Sequence, residues 1–372
     1  MSQTLALIWD AYRDLNSKKM FWIVLILSAL VAASFAAIGL SPTGFKIFYW
    51  EIPSPLLNSK EMPPGDFYKS IFLNYGIGFW LTWLATVLAL ISTASLFPDF
   101  LAGGAVDLYL SKPISRLRLF LTKYLCGLLF VMLQIGCFCA ASFAVIGLRG
   151  GAWEPGIFLA VPIVLLFFSY LFCFCVLIGV WTRSTVAAVL LTFLFWVFTF
   201  GVHTTEVTLL TFKLTEESAA VRLDKQIQLT QERLARWQRT AATRPTTRNS
   251  DYVTMYQSEL KSDRAKRQDM HGVLDRPHAI FYDIKTVLPK TTETVALLER
   301  MLISSARLEH VSRDNQDDSG NSSTELNGKP VPMREVQAEM RSRSAGWIVG
   351  TSLGFEGVVL ALAAWIFCRR DY

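Results

Sequence analysis

The sequence predicts an all-α integral membrane protein with six transmembrane helices, and three observations predict it. Apolar residues make up 52% of the 372 positions and charged residues only 18%, and the mean hydropathy is positive. The charges gather in one block, about 205–343. Outside it lie six apolar runs, each near the roughly 20 residues that cross about 30 Å of hydrocarbon. A soluble globular chain does not have this composition. The net charge of +6 does not point to nucleic acid, because no basic stripe lies on an aromatic platform. Basic residues flanking the spans explain it, with membrane lipid as the surrounding partner.

Residues 1–19 hold an interfacial helix in which Leu7, Ile8, Tyr12 and Leu15 alternate with Asp10, Arg13 and Asp14, ending on Lys18-Lys19. No small-residue cleavage pattern marks a signal peptide. Segment 20–204 holds five spans: Met20–Leu40, Tyr75–Phe97, about Leu119–Gly147, Ile157–Trp181 and Val186–Val202. Pro42, Pro53, Pro55, Pro63 and Pro64 make 41–75 read as an irregular exposed loop. A tight turn, RGGAWEPG over 149–156, joins spans three and four, and WTRST joins four and five. The insert 205–343 opens with an amphipathic helix over 216–240, with Val221, Ile227, Leu234 and Trp237 on its apolar face. A weaker helical stretch covers 251–274, and a more apolar one, 279–303, is broken at Pro289. Residues 311–333 have a disordered composition. Asn321-Ser322-Ser323 there reads as a chance sequon. Segment 344–372 holds the sixth span, Ala345–Cys368, and the basic pair Arg369-Arg370.

Lys and Arg in the short loops set the orientation. One side has ten: Arg13, Lys18, Lys19, Lys112, Arg116, Arg118, Lys123, Arg183, Arg369 and Arg370. The other has four: Lys46, Lys60, Lys69 and Arg149. Both termini are therefore expected inside and the insert outside.

Between spans two and three, the stretch 97–123 interrupts the apolar half with Asp99, Asp107, Lys112, Arg116, Arg118 and Lys123. Pro98 suits the first turn of a helix, and Asp99 puts negative charge near its positive end. Pro113 biases Lys112 away from helical geometry, so the surface helix, placed at 98–112, should stop near Leu110 or Ser111. Phe97, Leu101, Ala105 and Leu108 recur at helical spacing, the pattern of a helix lying along a membrane surface. Gly103-Gly104 weakens it by about 1 kcal/mol per glycine and makes more sense where another backbone approaches. An ordinary inner loop with positive-inside charges is the alternative.

Gly104, Asp107, Leu110, Pro113, Arg116 and Lys123 resemble the coupling-helix region of ABC transporter permeases of the type-2 export family. That region has a Gly, an aliphatic/acidic alternation, Leu-x-x-Pro-x-x-Arg and a Lys opening the next span. The Glu that usually precedes the Gly is missing, and Asp99 stands before it instead. Leu288-Pro289 resembles the family's Leu-Pro step before the last span, so a helix over 292–303 is expected to dip into the outer leaflet. The resemblance covers the chain except about 205–278, which reads as an insertion. It implies a cytoplasmic ABC ATPase subunit as partner and a second permease protomer in a homo- or heterodimer, in a bacterial inner membrane. ATP and Mg would sit on the ATPase, and this chain would bind no cofactor. Coupling would run through Asp99, Gly103, Gly104, Asp107, Lys112, Pro113 and Arg116. A non-transporting scaffold whose external helical insert binds an extracytoplasmic partner is the reading from another class.

The sequence has no Gly-x-x-x-x-Gly-Lys-Ser/Thr loop, no Cys/His cluster of zinc spacing and no nucleophile–base arrangement, so catalysis by this chain alone is not expected. The two Cys-x-Cys pairs, Cys137/Cys139 and Cys173/Cys175, read as packing residues rather than metal ligands. Glu356 lies near the middle of span six, where a carboxylate is expensive. It either faces an aqueous translocation path, with Thr82, Thr86 and Gln134 of other spans, or is a carboxyl bonded to a neighbouring hydroxyl that fixes packing. Gly346, Gly350 and Gly354 form a small-residue face on the same span.

Overall fold

A computed structural model describes residues 19–41, 44–47, 50–53, 63–102, 115–243, 247–269, 275–305, 325–326, 329–330 and 333–369. The interfacial helix up to Lys18, Gly103, Gly104, Asp107, Lys112, Pro113, the sequon and most of 311–333 lie outside the described residues. Among the described residues, six helices are long and apolar enough to cross a membrane, which is the architecture of an all-α, multi-pass membrane protein.

Helix α1 (Lys19–Ala37) buries Phe21, Val24, Ser28, Ala32 and Phe35, a stripe at helical spacing. It leads into an antiparallel meander, β1 (Ile38–Ser41), β2 (Gly44–Ile47) and β3 (Trp50–Pro53). Helix α2 (Pro64–Ile71) follows. The expectation of an irregular loop over 41–75 is thus corrected. Pro53 ends a strand, where its missing N–H costs little. Pro64 opens a helix with Asp66 in its first turn, a start signature that the density of prolines obscured. The Tyr68 hydroxyl donates to the Ile38 carbonyl at 2.6 Å, and Lys69 pairs with Asp66 and Glu154.

Span two is therefore helical from Pro64, eleven residues before the expected Tyr75. A π-helix (Phe72–Ala85) leads into α3 (Thr86–Ala94), a turn at Ser95, and α4 (Leu96–Ala102). In the wide π turn, Thr82 and Thr86 donate to carbonyls five residues back, Ile77 and Leu81, each at 2.7 Å. Helix α4 starts at Leu96 rather than Pro98, with the proline still in its first turn. Phe97, Phe100 and Leu101 are buried in the helical core, so this part does not lie along a lipid surface. Aromatic packing decides that: Phe97 lies on Phe120, and Phe100 stacks on Phe367.

Helix α5 (Arg116–Gly150) is capped by Ser115, whose side chain accepts from the Arg118 N–H. It ends at Gly151, φ 67°, the left-handed conformation glycine tolerates. Gly147 cannot be larger, because a Cβ there would lie 2.5 Å from the Trp153 ring. A 3-10 turn (Pro155–Leu159) precedes α6 (Ala160–Thr182). Within its apolar window 72% of α6 is buried, against 28–50% for the other five helices, so α6 is the axis of its bundle.

Helix α7 (Thr185–Thr243) is one uninterrupted helix of 59 residues; the helix expected at 216–240 continues span five. Then come α8 (Thr247–Asp269), α9 (Asp275–Val287) and α10 (Thr291–Ser305), the last two separated at Pro289 as expected. The short strands β4 (Glu325–Leu326) and β5 (Lys329–Pro330), the unanticipated α11 (Met333–Ser342) and α12 (Ala345–Arg369) complete the order.

The chain forms two compact units. The first contains residues up to Phe200, Thr286–Asn315 and Ala345 onward, so α10 groups with the spans and packs on α6, α12 and the π-helix. The second contains Gly201–Lys285 and Gln316–Ser344. Within it, Gln226 bonds Asp263, Asp224 pairs with Arg267, and Trp237 stacks on Tyr252 at 4.6 Å. That register makes the far part of α7 and α8 an antiparallel hairpin.

Candidate functional site

The site is a set of buried polar side chains between α5, α6 and α12. On α12, Ile348, Ser352, Glu356, Val359, Ala363 and Phe367 are buried, a single stripe of about 3.6-residue period. Glu356 falls on that stripe, so its carboxyl enters the bundle core at 8% exposure. The Tyr124 hydroxyl of α5 donates to Oε1 at 2.8 Å, and Ser169 Oγ of α6 lies 2.9 Å from Oε2. Phe172 stacks on the Tyr124 ring at 5.2 Å and closes that side.

Counting protons tells what this arrangement does. Ser169 Oγ also lies 2.8 Å from the Leu166 carbonyl, and a hydroxyl has one proton to donate. The Ser169 hydroxyl shares its proton between Glu356 Oε2 and the Leu166 carbonyl, and the Tyr124 hydroxyl donates to Glu356 Oε1. The network binds three helices through one side chain.

Next to it on α12, Ser352 accepts the Lys290 backbone N–H at 3.0 Å and donates to the Ile348 carbonyl. The Lys290 ammonium lies 4.1 Å from the Trp347 ring centroid. These contacts fix the start of α10 against α12.

The other path residues lie elsewhere. Thr86 and Gln134 line one small cavity between α1, span two, α5 and α6, together with Ser28. Neither Glu356 nor Thr82 lines it. Of the coupling residues, Asp99 is an exposed residue of α4. Arg116 donates to the Cys368 carbonyl at 3.2 Å, supplying a partner for one of the last carbonyls of α12. Gly346, Gly350 and Gly354 have no atom within 4 Å of where a Cβ would stand, so among the described residues no helix covers that face.

The sequence reading missed a second cluster, in the other unit. Glu206 of α7 is fully buried and meets Lys285 of α9 at 2.7 Å, Arg343 after α11, and His278 at 3.7 Å. Arg343 also lies over the Tyr282 ring. Burial alone would raise the Glu206 pKa. The hydrogen bond from Arg343 and the charge and hydrogen bond of Lys285 outweigh it and hold the carboxyl below its usual value. The available signal was one acidic residue four positions past the end of an apolar run. For Tyr124 and Ser169 the signal was weaker still, two hydroxyls inside apolar stretches. Among the described residues no three His, Cys, Asp or Glu side chains gather as a metal site. No protein-family model, curated protein or solved structure matches this chain.

Proposed function

We propose that the chain is the membrane-spanning permease subunit of an ATP-driven ABC exporter, coupling a separate cytoplasmic ATPase to substrate translocation. One observation supports this reading most. The described start of the stretch 98–112, and Arg116 beyond it, are tied to the ends of three spans. Phe97 and Phe100 of α4 pack on Phe120 of α5 and Phe367 of α12. Pro98 packs against Gly179 of α6, and Arg116 bonds the last turn of α12. A push on 98–112 would be passed to α5, α6 and α12 together. ATP and Mg would be bound by the partner, and a second permease protomer would complete the membrane part.

The test is the ATPase activity of the complex purified through a tag on this chain. An ATP-hydrolysing subunit should co-purify, with hydrolysis that responds to the permease. Asp107→Lys should uncouple it without loss of membrane insertion. Hydrolysis indifferent to that change, or a purified chain with no such subunit, would overturn the reading and favour the scaffold.

A further inference from the structure

The cavity beside the π-helix is lined by apolar side chains, including Leu81, Ile135 and Phe168, and by Ser28, Thr86 and Gln134. Gln134 is only 5% exposed, and its Nε2 has no hydrogen-bond partner among the described residues. A buried amide nitrogen with nothing to donate to is costly. The two hydroxyls do not relieve it. Thr86 gives its proton to the Leu81 carbonyl, and Ser28 Oγ accepts from Trp80 Nε1 at 3.3 Å. Both oxygens keep a lone pair for another donor.

Three limits define what fits. No charged side chain lines the cavity, so an ion would be desolvated without a counter-charge. An apolar guest would leave the Gln134 amide unsatisfied. The space suits a molecule the size of water, with polar partners on several sides.

We propose that this cavity is a hydration site inside the helical bundle. One ordered water accepts a hydrogen bond from Gln134 Nε2 and donates to the hydroxyl oxygens of Thr86 and Ser28. The site links α1, the exit of the π-helix and α5 through one small molecule. It stands on the cavity and its polar lining, independently of any role in transport.

Radiolytic hydroxyl labelling of the full-length protein in nanodiscs, read by mass spectrometry, tests it, because radicals form wherever water is held. Leu81 and Phe168 are 2% and 1% exposed. They should be modified faster than Leu171 and Phe120, both 0% exposed and absent from the lining. Gln134→Met should reduce that excess to background; if this variant does not fold, Thr86→Val serves in its place. Equal labelling of lining and non-lining pairs in the unaltered protein would overturn the proposal. So would excess labelling that survives in a folded Gln134→Met.

Discussion

Replacing Glu356 with Leu and with Gln separates a packing carboxyl from one that must ionise. Leu removes the acceptor of Tyr124 and the second partner of Ser169. Ser169 keeps the Leu166 carbonyl at 2.8 Å, so its loss is small. Tyr124, 4% exposed, keeps only the Ser169 carbonyl at 3.4 Å, beyond the usual hydrogen-bond length. A buried hydroxyl left without a good partner costs about 1–3 kcal/mol, whereas interhelical hydrogen bonds in membranes average about 0.6 kcal/mol. Glu356→Leu should therefore destabilise by about 1–2 kcal/mol. In Glu356→Gln the side-chain carbonyl still accepts from Tyr124, and the amide N–H can donate to Ser169 Oγ while that hydroxyl keeps the Leu166 carbonyl. Its cost should stay below about 0.5 kcal/mol. Equilibrium unfolding in mixed micelles, followed by far-UV circular dichroism, gives both values. A Gln variant as unstable as the Leu variant would refute the reasoning, because keeping the side chain's shape and hydrogen bonds would then not keep the stability.

Three further outcomes are expected. Glu206→Leu leaves Lys285 and Arg343 without their carboxylate and should cost the 201–285 unit about 3–5 kcal/mol, seen as faster limited proteolysis; unchanged digestion would count against the cluster. Because Lys285 and Arg343 hold the folded Glu206 pKa below the ordinary carboxylate value, its contribution is complete above that ordinary value and is lost as pH falls through the folded one. Unfolding of this unit should therefore become easier in acid, less so in Glu206→Gln. Arg116→Ala should weaken the last turn of α12 by about 0.5–1.5 kcal/mol and speed amide exchange at 366–369, an effect that a solvated arginine would not have. For topology, Ser250→Cys should react with an impermeant maleimide on intact cells and Ser115→Cys only after permeabilisation. Labelling of Ser115→Cys on intact cells would invert the orientation.

The spans were legible because a bilayer demands about 20 apolar residues in a row, and α6 meets that demand on every face. What neighbours what was not legible. Period and hydropathy place Glu356 on a helix, yet they do not say that Tyr124 and Ser169 stand opposite, because helix pairing leaves no local trace. Arg116 read as a positive-inside charge and a coupling residue, and its bond to the end of α12 was not legible, since its acceptor lies 252 residues away. The meander at 38–53 was hidden by the density of prolines, although the described Pro53 and Pro64 sit at the ends of elements rather than within them. Nothing in the sequence marked π winding over 72–85, and Thr82 and Thr86 look the same in an α-helix.

The carboxyl of the last span bears on how the chain is made. Ser169 and Tyr124 are synthesised 187 and 232 residues before Glu356, and the whole insert is translated between them. Helix α12 also has the lowest hydropathy of the six candidate spans, 1.7, and an acidic residue at a helix centre opposes partitioning into lipid. Hydroxyls already placed in the bilayer lower that cost, because they give the carboxyl its hydrogen bonds as α12 packs. A ribosome that stops before residue 345 leaves five spans and a Tyr124 hydroxyl without its good acceptor, a defect that a quality-control protease reading exposed polar groups in lipid would detect.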